Sequence, residues 1–176
     1  MNDHEKIIAG CQKGSNEAFA RLLDIYAARC YGYFYRLTGD RTQSNDLLSE
    51  LFLKLVEKIC SFRGSSFENW LFTIASNIFH DYLRQKYRQK KLLDGKVQQL
   101  SFETPPTGPD DEMLDRLQTQ MAKLEPETAE LLMLRFYGQL SFKELAAIRS
   151  EPIGTTLSKV HRGLKKLTEL MENTNE

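Results

Sequence analysis

Lys159, Arg162 and Lys166 stand at i, i+3 and i+7, so a helix through them carries three cations on one face. Thr155, Thr156 and Ser158 lie at the N-terminal end of the same segment, where a helix leaves backbone N–H groups unpaired. A second concentration of positive charge runs from Arg84 to Lys91, five basic residues with no acid among them. Cations repeated along a helix face suit a polyanion, whose phosphates they neutralise. Hydroxyls and N–H groups at a helix N-terminus suit phosphate oxygens or base edges in a groove. Other chemistries are not provided for. His4, His80 and His161 fall in separate segments, and neither a Ser/His/Asp set nor a phosphate-cradling glycine loop is present, so no catalytic residues and no enzyme are expected. Cys11, Cys30 and Cys60 have no close pairing and no His at ligand spacing. That argues for buried, reduced thiols rather than a zinc site or disulfide framework, and no metal or cofactor is expected.

Holding these groups in place requires helices, and the apolar pattern supplies them. Leu47, Leu48, Leu51, Phe52, Leu55, Val56 and Ile59 form a continuous stripe at period 3.6, with Asp46, Glu50, Lys54 and Glu57 on the other face. Ser65 and Glu68 have the spacing of a capping box opening the next helix. Its stripe runs Phe67, Trp70, Leu71, Ile74, Ala75, Ile78, Phe79, Tyr82, Leu83, with Trp70 read as core. An earlier helix spans roughly Asn16 to Leu37. No segment alternates with period 2, so the expected fold class is all-α.

The stretch Ser101 to Glu112 breaks this pattern with Pro105, Pro106 and Pro109, four acids and no base. It reads as a flexible, acidic, Pro-rich linker over 96–112, dividing the chain into helical domains at 1–95 and 113–176. Beyond it, Met113 to Leu124 is amphipathic and Pro126 opens a helix that stops at Gly138. Ser141 and Glu144 form a capping-box pair opening a helix to Ile148, and a tight connection at 149–152 leads to the last helix near Gly154. Leu157, Val160, Leu164, Leu167 and Met171 are its expected inner side. Two short helices joined by a few turn residues, the second basic on its outer side, follow the helix-turn-helix plan.

The chain has 176 residues, with 24 Lys+Arg against 24 Asp+Glu, 41% apolar and 27% charged, a composition that folds. It contains no apolar run near 18 residues and begins with a polar segment, so a cytoplasmic protein without membrane insertion is expected. Zero net charge excludes a uniformly basic DNA-coating protein. The charge is segregated, however: the two basic patches are offset by five acids between Glu103 and Asp115. Phe62 and Phe67 flank the polar, Gly-containing loop Ser61 to Asn69, where aromatics can stack on unpaired bases. Asp46 and Glu50, beside Leu48 and Leu53, make a mixed surface suited to a protein partner.

Taken together these segments resemble the extracytoplasmic-function (ECF) group of bacterial RNA polymerase sigma factors. Asn45-Asp-Leu-Leu-Ser-Glu50-Leu-Phe-Leu-Lys-Leu55 resembles region 2.2, the helix that docks on polymerase. Phe62 to Asn77 and Asp81-Tyr-Leu-Arg84 resemble regions 2.3 and 2.4, which melt and read the −10 element. Leu124-Glu-Pro126, Ser141-Phe-Lys-Glu144-Leu-Ala, and Pro152 through Arg162 resemble region 4, the −35 reader. The likeness covers roughly residues 15 to 172. It implies a specificity subunit that binds core RNA polymerase through its β′ and β subunits, contacts promoter DNA and is sequestered by an anti-sigma factor. The residues it assigns to polymerase are Asp46, Leu47, Leu48, Glu50 and Leu53. To the −10 element it assigns Ser61, Phe62, Arg63, Gly64, Ser65, Ser66, Asn69, Asn77, Arg84 and Arg88. To the −35 duplex it assigns Thr155, Thr156, Ser158, Lys159, Arg162 and Lys166. The acidic linker resembles the segment that threads toward the polymerase active-site channel. Gly163 stands where Ala is common, which by propensity alone weakens the last helix by about 1 kcal/mol. Two alternatives stay open at this point: a stand-alone helix-turn-helix regulator with an N-terminal sensor domain, and a helical adaptor whose basic faces have no nucleic-acid role. The basic end of the first domain separates them from the sigma reading, because a pure sensor does not need it.

Overall fold

A computed structural model of the protein describes residues 3–64, 66–93 and 111–173. Eight α-helices and one 3₁₀ turn make up the regular structure of these residues, and none of them is in a strand. In the first unit, α1 (Asp3–Gln12) is a helix that the sequence reading did not single out. It is followed by α2 (Asn16–Thr38), α3 (Arg41–Lys58), the 3₁₀ turn Ile59–Ser61 and α4 (Phe67–Leu93). Each boundary has a local cause. Ser15 caps α2 by accepting from Ala18 N, and Asp40 caps α3 by accepting from Gln43 N at 2.9 Å. At α4 the cap is Ser66, whose Oγ accepts from Asn69 N at 3.1 Å. Of the expected Ser65–Glu68 pair, Ser65 lies outside the described residues, and Glu68 accepts from the Tyr26 hydroxyl at 2.7 Å.

Burial in α3 is narrower than its apolar stripe. Leu47, Leu51, Leu55 and Ile59 are buried, Leu48 and Phe52 half-buried, and Val56 is 54% exposed. The reason is geometric: only the side of α3 that meets α2 and α4 is covered. Fully burying each such leucine contributes roughly 1.5–3 kcal/mol, so the i, i+4, i+8 row of Leu47, Leu51 and Leu55 fixes the helix in place. Phe67, Leu71, Phe72, Ile78 and Phe79 of α4 and Tyr26, Tyr33 and Phe34 of α2 complete this core. Cys11 and Cys30 are buried in it, whereas Cys60 is exposed, contrary to the expectation that all three thiols are inside. Burial pushes the Cys30 thiol up to about 12, which makes it unreactive.

The second unit comprises α5 (Asp111–Met121), α6 (Pro126–Phe136), α7 (Phe142–Arg149) and α8 (Ile153–Glu172). Helix α5 begins inside the segment read as linker; the remainder of that linker, 96–110, lies outside the described residues. The Ser141 capping box is complete: Glu144 N donates to Ser141 Oγ, and Ser141 N donates to Glu144 Oε2 at 2.8 Å. Ser150 in the left-handed region (φ 53°) then turns the chain into α8. In α8, Val160 and Gly163 are buried, but Leu157, expected on the inner side, is 47% exposed. Gly163 lets the α8 backbone approach α6, because a Cβ there would sit 2.5 Å from Thr128 Cγ2.

The two units are packed together rather than merely tethered. Arg29 of α2 donates from Nε to Tyr137 O at 2.9 Å and from Nη2 to Gly138 O at 3.3 Å. Arg36 donates to Leu114 O and Gln118 Oε1, and Gln118 Nε2 donates back to Arg36 O.

Candidate nucleic-acid interface

Helix α8 presents Thr155, Ser158, Arg162 and Lys166 to solvent. Arg162 Nε donates to Ser158 O one turn earlier, at 3.3 Å. Lys159 is half-buried and paired with Glu151 at 2.5 Å. Thr156 is fully buried: its hydroxyl donates to Glu151 Oε1 at 2.8 Å, which takes it out of any DNA-facing set. A single turn acid thus ties the turn of the helix-turn-helix to the first turns of α8. The Lys159 hydrogen bond holds the Glu151 carboxyl below the usual carboxylate range. Nothing about Glu151 in the sequence marked it as the partner of two expected reader residues. The helix itself is preceded by Pro152 with no side-chain cap, so the hydroxyl of Thr155 is left outward rather than capping.

The loop ahead of α4 is held from below. Gln12 Nε2, at the end of α1, donates to Ile59 O at 3.1 Å and to Phe62 O at 3.0 Å. Arg63 Nη1 donates to Cys60 O and Phe62 O, and Ser61 Oγ to Lys58 O, so both side chains brace the backbone of the loop itself. Phe62 is not a free stacking platform. Its ring lies 5.5 Å from Phe67 and 5.2 Å from Trp70, in a cluster that also fixes the half-buried tryptophan. Gly64 is exposed, Ser66 is occupied as the cap, and Asn69 Oδ1 is buried without a hydrogen-bond donor. Along α4, Asn77, Arg84 and Arg88 are exposed on the solvent side. Arg84 pairs with Asp81, and that hydrogen bond lowers the Asp81 pKa.

On α3 the expected docking residues divide. Asp46 is exposed, Leu53 is 67% exposed, and Glu50 pairs with Lys54 at 2.8 Å; Leu48 is half-buried. Leu47 is only 6% exposed and faces the core, because it begins the buried i, i+4 row. Its part is to hold the helix, not to touch a partner.

One group outside every expected set sits between the two units. Glu130 of α6 is 0% exposed, and its Oε1 accepts from Tyr33 Oη at 3.1 Å and from Ser76 Oγ at 2.5 Å. Its Oε2 lies 2.9 Å from His80 Nε2 and accepts from Arg149 Nη2 at 2.7 Å. Burial pushes this carboxyl up, but the contacts from His80, Arg149 and Ser76 outweigh it and hold the group below the usual carboxylate range. Beside it opens a cleft of about 710 Å³. Arg84 and Tyr87 of α4 line one wall, and Lys159, Arg162 and Lys166 of α8 the other. Arg84, expected to meet the −10 strand, therefore shares a cleft with the α8 cations expected to meet the −35 duplex.

This architecture has counterparts among known proteins. Residues 22–89 match Sigma-70 region 2 and residues 114–167 match Sigma-70 region 4. The ECF RNA polymerase sigma factor SigW of Bacillus subtilis is 27% identical over 96% of this chain and 97% of its own length. The RNA polymerase sigma factor CarQ of Myxococcus xanthus is 30% identical over 90% of this chain and 91% of its own. The chain belongs to the ECF group of the sigma-70 family. The solved sigma factor RpoE from Bartonella quintana, in complex with the anti-sigma factor NepR, is similar at a TM-score of 0.73, with 26% identity over 88% of this chain and 96% of that one. This sigma factor is a promoter-specific transcription initiation factor, with region 2 in α2–α4 and the region 4 helix-turn-helix in α7–α8. Among the described residues, no helix is long and apolar enough to cross a membrane.

Proposed function

We propose that this sigma factor is a dissociable specificity subunit with no catalytic chemistry of its own. It docks on the β′ and β subunits of core RNA polymerase through the α3 face of Asp46, Leu48, Glu50 and Leu53. It reads the −35 duplex with Thr155, Ser158, Lys159, Arg162 and Lys166. The −10 strand is engaged by the loop at 61–69 together with Asn77, Arg84 and Arg88. The observation that carries the −10 part is Asn69 Oδ1, a buried acceptor without a donor in the first turn of α4, next to a loop whose backbone is braced by Gln12. An unstacked base offers an exocyclic amine to such an acceptor, and unstacking costs a few kcal/mol that a fitted pocket offsets. A sigma factor of this kind works in the cytoplasm, and the Bartonella relative's complex supports an anti-sigma protein as its sequestering partner. The test is run-off transcription with core polymerase on promoter fragments. Charge reversal of Lys159 and Arg162 to Glu abolishes promoter-dependent transcript while leaving core binding intact. Unchanged transcript from that double variant would show that α8 does not read the promoter.

A further inference from the structure

We propose that Glu130 is a latch that holds the free chain closed, with Arg84 of the −10 set and the cations of α8 on one cleft, and that its release is a step in promoter use. The second half of this statement rests on the promoter reading above; the first half does not. On a promoter the two reader sets must reach elements about 25 base pairs apart, roughly 85 Å at ~3.4 Å per step. In the closed chain Arg84 lines the same 710 Å³ cleft as Lys159, Arg162 and Lys166. A closed chain cannot span both elements, so it must open.

The chemistry of the contact explains how it can hold and still release. A buried carboxylate is costly unless every oxygen is satisfied, and leaving one partner out of place is strongly destabilising. Tyr33, Ser76 and His80 come from the first unit, and Arg149 from the unit that carries Glu130. The carboxylate is therefore satisfied only when both units are docked in register, which makes the contact all-or-none. Once apart, Glu130 and its polar partners are hydrated, while the apolar side chains packed around them, such as Phe72 against Leu140 and Gly138, are what opening costs. Arg29 and Arg36 reinforce the contact through backbone carbonyls. Gly32 of α2 permits the approach: a Cβ there would overlap the Tyr137 ring, and its nearest neighbours are all atoms of that ring.

The experiment uses the full chain in three forms: wild type, Glu130→Ala and Gly32→Leu. Circular dichroism checks that helix content is kept, and Gly32→Leu carries the test alone if Glu130→Ala loses it. Small-angle scattering gives a radius of gyration near the roughly 16 Å of a compact chain this long for the wild type, and several ångströms more for both variants. Run-off at sub-saturating sigma then rises in the variants, by about tenfold if the closed form outweighs the open one ten to one. Variants that stay as compact as the wild type overturn the latch. So does expansion without a gain in transcript on a template the wild type uses. Absence of transcript from the wild type on every promoter fragment overturns the promoter reading instead, and the scattering arm alone then decides whether Glu130 closes the chain.

Discussion

Replacing Gly163 by Ala pits two effects of opposite sign against each other in α8. By propensity, alanine in a helix interior is favoured over glycine by about 1 kcal/mol. By packing, the added Cβ falls 2.5 Å from Thr128 Cγ2, where carbon atoms normally rest about 3.5–4.0 Å apart. Relieving an overlap of about 1 Å requires α8 to move off α6 or Thr128 to leave its rotamer, and overpacking of this kind costs roughly 1–3 kcal/mol. The balance is a loss of about 0–2 kcal/mol, read as a fall in Tm of about 2–4 °C per kcal/mol for a chain of this size. Thr128→Ser removes the opposing methyl, and the next neighbours, the Leu132 methyls at 3.6 and 3.7 Å, are at ordinary contact. In that background the same Gly163→Ala change becomes stabilising by about 1 kcal/mol. Four thermal or urea melts close the cycle, with a coupling of about 1–3 kcal/mol between the two positions. A Gly163→Ala variant that is equally stabilising with and without the Thr128 methyl would refute the packing account of this glycine.

The remaining predictions follow from individual contacts. Ser141→Ala removes the Oγ that caps α7 and costs about 1 kcal/mol, a fall of about 2–4 °C in a melt, with no change in core-polymerase affinity. The Glu130 carboxyl is held below its ordinary 4.5, so the unfolded chain takes up protons first on acidification. Its contribution, made with Tyr33, Ser76, His80 and Arg149, is complete above about pH 4.5 and is lost as pH falls through the depressed value. Urea midpoints measured from pH 7 downward therefore show an acid limb that Glu130→Gln flattens. Gln12→Ala removes the side chain that bridges Ile59 O and Phe62 O and loosens the −10 loop. Run-off from a duplex promoter falls, while a template already unpaired at −10 restores it; equal loss on both templates refutes a role for Gln12 in melting.

Much of the fold was legible because its causes are local. The Ser141–Glu144 box, Pro126 at the start of α6 and the period-3.6 stripes depend on residues three or four apart, and each forms where spacing placed it. The departures are where a distant element decided. At the start of α4 the observed cap is Ser66, beside the expected Ser65. Leu47 and Leu53 lie on the same amphipathic helix, yet only the side against α2 and α4 is covered, so one is core and the other surface. Helix α1 is short and is bounded by no cap or stripe in the sequence; besides burying Ile8 and Cys11 it contributes Gln12, a polar residue acting 47 and 50 positions away.

The candidate site divides along the same line. Exposed cations on a helix face can be read from i, i+3, i+7 spacing, and Arg84, Arg88, Arg162 and Lys166 are all outward. Glu151 and Glu130 could not be read that way, since an acid looks the same in sequence whether it is solvated or buried. Glu151 acts over five and eight positions to take up Thr156 and Lys159. Glu130 acts across the whole linker, over 97 positions to Tyr33 and 54 to Ser76. Only partners make a buried carboxylate tolerable, and here three of the four, Tyr33, Ser76 and His80, belong to the other unit. For that reason the balance of charge along the chain misleads in both directions. Net neutrality hides the reader faces, and the acids that matter most to their placement are isolated ones, outside the acidic segment.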